Sequence, residues 1–215
     1  MRVKRGAAVL LLFPLLALAC QEENGLDLTA FQYDVVTCRQ GQGEEGWLFL
    51  RDDTTWLYPQ SPLSSSSLSD GQRVLIGYSP VEQIDTRAWR ITLQTAVQSI
   101  VSGEITYLPA VMSKELADDP LYVTSLWCSG GFVNLRFKVL YHDVSHRLSA
   151  VAFLPQSSTD TLDVEIRHDA CDDAPGYYAS GYASFSLPDM PPRVVRVGIN
   201  SSNLGGEKQY IFLTE

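Results

Sequence analysis

The sequence has no run of about 20 apolar residues, the length a helix needs to span a bilayer. Its longest greasy stretch, Ala7 to Ala19, ends after thirteen. Cations are also scarce. Sixteen Lys and Arg face 25 Asp and Glu, a net charge of −9, and a chain this acidic repels phosphate backbones, which excludes nucleic acid as an expected partner. No Gly-x-Ser-x-Gly elbow is present, so nucleophilic hydrolysis lacks its usual mark; the nearest approach, Ser129-Gly130-Gly131, reads as a loop between strands. Helix signals are thin. Ser113-Lys-Glu-Leu-Ala begins at most one or two turns before Pro120 stops them, and the helically spaced Leu93, Val97, Ile100 and Val101 lie in a stretch β-branched enough to read as strand. No internal repeat is visible.

What is present is period-two alternation. Val133, Leu135, Phe137, Val139 and Tyr141 share one face of a strand, with Asn134, Arg136 and Lys138 on the other. Leu162, Val164 and Ile166 alternate with Asp163, Glu165 and Arg167 in the same way. Such patterns belong to half-buried antiparallel strands. Further strands read as Phe31 to Cys38, Trp47 to Arg51, Arg73 to Tyr78, Trp89 to Leu93, Ile105 to Leu108, Leu148 to Leu154, Ala183 to Leu187, Val194 to Ile199 and Gln209 to Leu213. Turn residues punctuate them closely, which favours small barrels or sandwiches.

Arg2, Lys4 and Arg5 before the apolar stretch give residues 1–19 the form of a signal peptide, and Ala17-Leu18-Ala19 satisfies the small-x-small rule for cleavage before Cys20. The approach to Cys20 resembles the lipobox of bacterial lipoproteins, with Ala17 where Leu is usual. That resemblance implies that the Cys20 thiol is acylated and anchors the chain in the outer membrane. More than one acyl chain is needed, because each buried methylene contributes only about 0.8 kcal/mol. In the following tether, residues 20–30, Glu22 and Glu23 resemble the acidic export signal of surface-displayed Bacteroidota lipoproteins, although a plain solvated tether would read much the same. Acylation leaves three of the four cysteines, an odd number. Cys128 and Cys171 are the better disulfide candidates, and two free thiols fit the spacing equally.

Behind such a signal, Asp34-Val-Val-Thr, Gly46-Trp-Leu-Phe-Leu, Asp70-Gly-Gln-Arg-Val and Leu162-Asp-Val-Glu-Ile-Arg-His168 are together similar to the NigD-like lipoproteins of Bacteroidota. The resemblance implies an all-β chain: a small N-terminal OB-like barrel over residues 31–112, then an immunoglobulin-like antiparallel β-sandwich over residues 113–215, joined near Ser113 to Pro120. It brings no catalytic signature. The family name links it to a bacteriocin gene cluster.

Candidate chemistry is dispersed. Gly41-Gln-Gly43-Glu-Glu-Gly46 fits a dinucleotide-binding string, but a strand follows where a helix is required and two acids would repel phosphates, so it reads as a hairpin turn. His142 and His146 have zinc-ligand spacing yet flank Asp143-Val-Ser145 between two alternating strands, at the expected mouth of a hairpin. His168-Asp-Ala-Cys-Asp-Asp173 gathers an imidazole, a thiol and three carboxylates and reads as a polar loop after a strand. Trp47, Trp56, Tyr58, Tyr78, Trp89, Trp127, Tyr177, Tyr178 and Tyr182 are candidates for sugar-stacking platforms, Tyr177 and Tyr178 the most exposed. The expectation is a lipid-anchored envelope protein that is not an enzyme and needs no metal or cofactor, serving as a binding or assembly accessory for an envelope protein or glycan. The alternatives are a metal-dependent hydrolase built from His142, His146 or His168 with nearby acids, and a bacteriocin-related antagonistic or immunity factor.

Overall fold

The structure, a computed structural model, describes residues 31–42, 46–156, 158–189 and 192–214. Cys20, Glu22 and Glu23 lie outside the described residues.

The first half alternates inward apolar and outward polar residues on strands that curl into a barrel. β1 (Gln32–Gln40), β2 (Trp47–Leu50), β3 (Trp56–Pro59), β4 (Arg73–Asp85) and β5 (Ala88–Leu93) pair in the order β1-β2-β3-β5-β4, and β1 returns to β4 to close the ring. This is the five-stranded barrel of the OB type. Val36 and Cys38 of β1, Phe49 of β2, Leu57 of β3, Val74, Ile76 and Tyr78 of β4 and Ile91 of β5 fill its interior. A short sixth strand, β6 (Gln98–Ser99), extends the sheet beside β4. Gly41 N–H donates to the Gly46 carbonyl at 2.8 Å, which brings the two ends of the glycine-rich string together between β1 and β2.

The second half is a sandwich. One sheet runs β7 (Val101–Glu104), β13 (Tyr177–Ser186), β10 (Phe132–Tyr141), β9 (Tyr122–Ser129); the other runs β15 (Gly206–Leu213), β14 (Val194–Ser201), β12 (Thr161–Asp169), β11 (Arg147–Leu154), β8 (Thr106–Pro109). Val133, Leu135 and Phe137 from one sheet meet Leu162, Val164 and Ile166 from the other, the two faces legible in the sequence, and Val195, Val197 and Ile199 of β14 complete the layer. Three pairings, β7 with β13, β8 with β11 and β12 with β14, run parallel. Between β12 and β14 the chain passes through the opposite sheet as β13, which lets two strands of one sheet share a direction. Gly181 lies opposite Phe137, whose ring covers it; an added Cβ would stand 2.6 Å from Phe137 Cζ.

Two expectations shift. Strand partners change from barrel to sandwich between Ser99 and Val101, ahead of the expected boundary at residues 112/113, because β7 and β8 pair with β13 and β11. The only helical element among the described residues is a 3₁₀ turn, Ala110–Lys114.

A buried ionic clamp joins the halves. Arg73 of β4, 3% exposed, uses all five of its N–H groups. Nε donates to Ser184 Oγ, Nη1 to Thr37 Oγ1 and Asp52 Oδ1, and Nη2 to Asp52 Oδ2 and Asn134 Oδ1, at 2.6–3.2 Å. Ser129 Oγ donates to Asp52 Oδ2 at 2.6 Å, and Ser184 Oγ to Asn134 Oδ1 at 2.8 Å. Thr37, Asp52 and Arg73 come from the barrel; Ser129, Asn134 and Ser184 come from the sandwich.

Candidate functional site

Even-numbered residues of β10 point away from the sandwich core, and cross-strand register decides their neighbours. Asn134 faces Trp127 on β9 and Ser184 on β13; Arg136 faces Tyr182; Lys138 lies between Tyr122 and Ser180; Leu140 faces Tyr178. The first rung is covered by the clamp. The others form an open stripe of aromatic rings and cations along the outer face of the four-stranded sheet. Arg136 lies over the Tyr182 ring at 5.6 Å, Lys138 Nζ over the Tyr122 ring at 5.4 Å, and Tyr122 meets Tyr178 edge-on with centroids 6.2 Å apart. At the barrel end, Tyr33, Arg51, Trp127 and Tyr182 wall a cavity of about 340 Å³ between the two halves. Arg136 to Leu140 spans about 14 Å of strand, room for two or three sugar rings in a row.

Of the aromatics singled out in the sequence, Trp127, Tyr178 and Tyr182 come together here. Tyr78 is buried in the barrel, Trp47 and Trp89 pack against its core, and Trp56 and Tyr58 lie on β3. Tyr177 meets Tyr141 at the far end of the sheet. Sequence reasoning missed Tyr33 and Tyr122, and it placed Arg136 and Lys138 on a polar face without giving them a role.

The histidines gather at the opposite end of the sandwich. The link carrying His142 and His146 crosses from β10 in one sheet to β11 in the other, so it is not a hairpin. His146 Nδ1 lies 2.9 Å from His168 Nε2, His146 Nε2 lies 3.2 Å from Asp173 Oδ2, and His168 Nδ1 lies 3.1 Å from the Asp119 carbonyl oxygen. These three contacts call for three ring hydrogens, one more than two neutral imidazoles carry. Asp173, its side chain 0% exposed, also accepts the backbone N–H groups of His142, Asp143 and Val144. Burial pushes the Asp173 carboxyl up, but those amides and the His146 ring outweigh it and hold the group well below the usual carboxylate range. Burial and the neighbouring His146 charge lower the pKa of His168, against the raising effect of its hydrogen bond with Asp119.

This arrangement does not suit a metal. His142, Asp143 and Asp173 lie within ligating distance of one another, yet Asp173 is occupied by three amides and an imidazole, and every ring nitrogen of His146 and His168 is engaged. The cluster therefore acts as a staple for the tip of the sandwich. Histidine NMR is expected to find His168 mainly as the neutral Nδ1–H tautomer at pH 6.5, where a free imidazole is about half protonated; an imidazolium at His168 under those conditions would contradict the assignment.

Cys128 and Cys171 are both free, so the disulfide alternative gives way to free thiols. Cys128 pairs with Val133 at the start of β10, whereas Cys171 lies in the loop whose Asp173 binds the residues just past the end of β10. A ten-residue strand separates them. Burial pushes the Cys128 thiol up to about 11, as it does Cys38 in the barrel. Ser129-Gly130-Gly131 is a tight turn between β9 and β10, and Ser129 Oγ is committed to Asp52. A cavity of about 600 Å³ on the outer face of the five-stranded sheet is lined by ion pairs, including Arg196 with Asp163 and Arg167 with Asp118, and the buried Nε of Arg167 finds no hydrogen-bond partner among the described residues.

Residues 104–213, half of the chain, match the NigD-like C-terminal beta sandwich domain. The chain belongs to the NigD-like family. Among solved structures, this NigD-like chain is similar to a protein of unknown function from Bacteroides vulgatus, at 19% identity and a TM-score of 0.73, with 86% of this chain and 92% of that one covered. It is also similar to a NigD-like immunity protein from Bacteroides caccae, at 18% identity and a TM-score of 0.63, with 86% and 97% covered. At these identities the likeness is one of fold, and it spans both halves of the NigD-like chain. No curated protein matches it at a significant level.

Proposed function

We propose that this NigD-like protein is a lipid-anchored, non-catalytic envelope component that binds glycan along the outer face of its four-stranded sheet. The observation that carries the reading is the continuous aromatic stripe, from Tyr33 and Trp127 past Tyr182 and Tyr122 to Tyr178. Aromatic faces offer the apolar C–H surfaces of sugar rings a stacking partner, and tyrosine hydroxyls offer polar edges at little entropic cost. Tyr33 and Tyr178 are 53% and 61% exposed, an exposure that core packing does not explain. Cys20 and its signal support membrane attachment, with Glu22 and Glu23 supporting surface display.

A glycan array with the purified full-length protein is expected to return polysaccharide ligands, and Trp127→Ala and Tyr122→Ala each to weaken them about tenfold, a loss of about 1.4 kcal/mol. A blank array, or affinities unmoved by both substitutions, would overturn the reading. A second reading, an immunity-type factor, is favoured by the description of the Bacteroides caccae structure. In that case cells making the protein would survive a neighbour's toxin that kills cells lacking it.

A further inference from the structure

We infer that the ligand of the aromatic stripe is an acidic glycan, a polymer carrying uronate or sulfate groups, held by Arg136 and Lys138. The inference rests on the glycan reading above and adds the charge of the ligand to it. The chain has 25 acidic residues for 16 Lys and Arg, and most of its other described arginines show what that excess does. Arg39, Arg51, Arg73, Arg90, Arg167 and Arg196 are each paired with a carboxylate. Arg87 and Arg193 have no carboxylate partner among the described residues either, but Arg136 and Lys138 differ in lying side by side against tyrosine rings on one sheet face. Among the described residues, their side-chain partners are tyrosine rings alone, Tyr182 and Tyr122.

The two cations sit two residues apart on one face of β10, about 7 Å from each other, within reach of acidic groups on neighbouring sugars. The ring beside each cation restricts it while leaving N–H donors free for a carboxylate or sulfate. Acids do exist nearby. Asp34 and Asp53 line the cavity at the barrel end, but both are paired with Arg51 at 3.2 and 3.4 Å, and Asp34 also accepts the Tyr78 hydroxyl. The face therefore offers unpaired positive charge along its length, while at its barrel end Arg51 is shared by Asp34 and Asp53 and Asp52 is held by Arg73, which leaves one net negative charge there. An anionic surface alone would need only the cations. Tyrosine rings around both of them select a ligand that presents flat apolar faces between its charges.

The test is calorimetry of the full-length protein against a panel of polyuronates and sulfated polysaccharides, each alongside its carboxyl-reduced or desulfated counterpart. At least one acidic polymer is expected to bind about tenfold tighter than its neutral counterpart at low salt, with the gap closing near about 0.5 M salt as screening shortens the reach of the charges. The double variant Arg136→Gln, Lys138→Gln is expected to erase the gap and keep the weaker neutral binding, which also shows that the variant is folded. Equal binding to charged and neutral polymers overturns the charge inference while the glycan reading stands. No binding to any polymer overturns both. Inorganic polyphosphate or phosphatidylglycerol vesicles binding as well as the acidic polymers would mean that anions alone are recognised, and would also overturn it.

Discussion

Asp52→Ala is expected to destabilise the protein by about 3–5 kcal/mol in urea unfolding, because it leaves the Arg73 guanidinium buried without its counter-charge. The geometry explains the size. Arg73 is 3% exposed and sends two of its five hydrogen bonds to the Asp52 carboxylate, one at 2.6 Å. Its side chain also lies over the Phe132 ring at 4.1 Å, so the charge has no route to water without parting the barrel from the sandwich. Arg73→Lys is also expected to be damaging, since an ammonium has three donors where five acceptors wait. Removing both charges as Asp52→Ala, Arg73→Met is expected to cost less than Asp52→Ala alone, because no orphaned ion remains. A loss below about 1 kcal/mol for Asp52→Ala would place the clamp among weak surface pairs and contradict its burial.

Gly130→Ala is expected to be the most damaging of the small glycine substitutions at the same junction, at about 2–4 kcal/mol. Two costs combine: a left-handed backbone for a residue with a Cβ, and overpacking. Gly130 has φ +56°, and an added Cβ would stand 2.8 Å from the Cα and Cβ of Asp52. Its neighbour separates the two causes. Gly131 has φ +82° with nothing within 4 Å of its Cβ position, so Gly131→Ala carries the backbone cost alone and should lose about 1–2 kcal/mol. Equal losses at the two positions would mean that the close approach to Asp52 is unimportant. Because Gly130 and Asp52 touch, their effects should fail to add in a double-mutant cycle.

The strands with one buried face were readable because period-two alternation records that burial directly; β10 and β12 place Val133, Leu135, Leu162 and Val164 inward as their pattern requires. β9 was not readable. A bulge lies opposite Arg136 and Phe137, so Val123 and Leu126 both face the core although three residues apart, and the alternation breaks. β3, four residues ending at Pro59, has no polar face to alternate with. The early part of β13 hid behind Ser180 and Gly181, a glycine explained only by Phe137 on the neighbouring strand. The site was legible as chemistry and not as a place. Trp127, Tyr178 and Tyr182 could be named as aromatic candidates, but their shared face depends on the register of β9 and β10 with β13, a strand distant in sequence. The His142 and His146 spacing was visible too, whereas the contact that defines His146, with His168, depends on the antiparallel register of β11 and β12.

The free thiols bear on how the chain matures. Cys38, Cys128 and Cys171 all have their thiols pushed up, by burial first in each case, and thiols held protonated are poor partners for oxidants and for disulfide exchange. In the described fold the two halves are held together by an arginine and an aspartate instead of a sulfur bridge. A reductant is therefore expected to leave this junction intact.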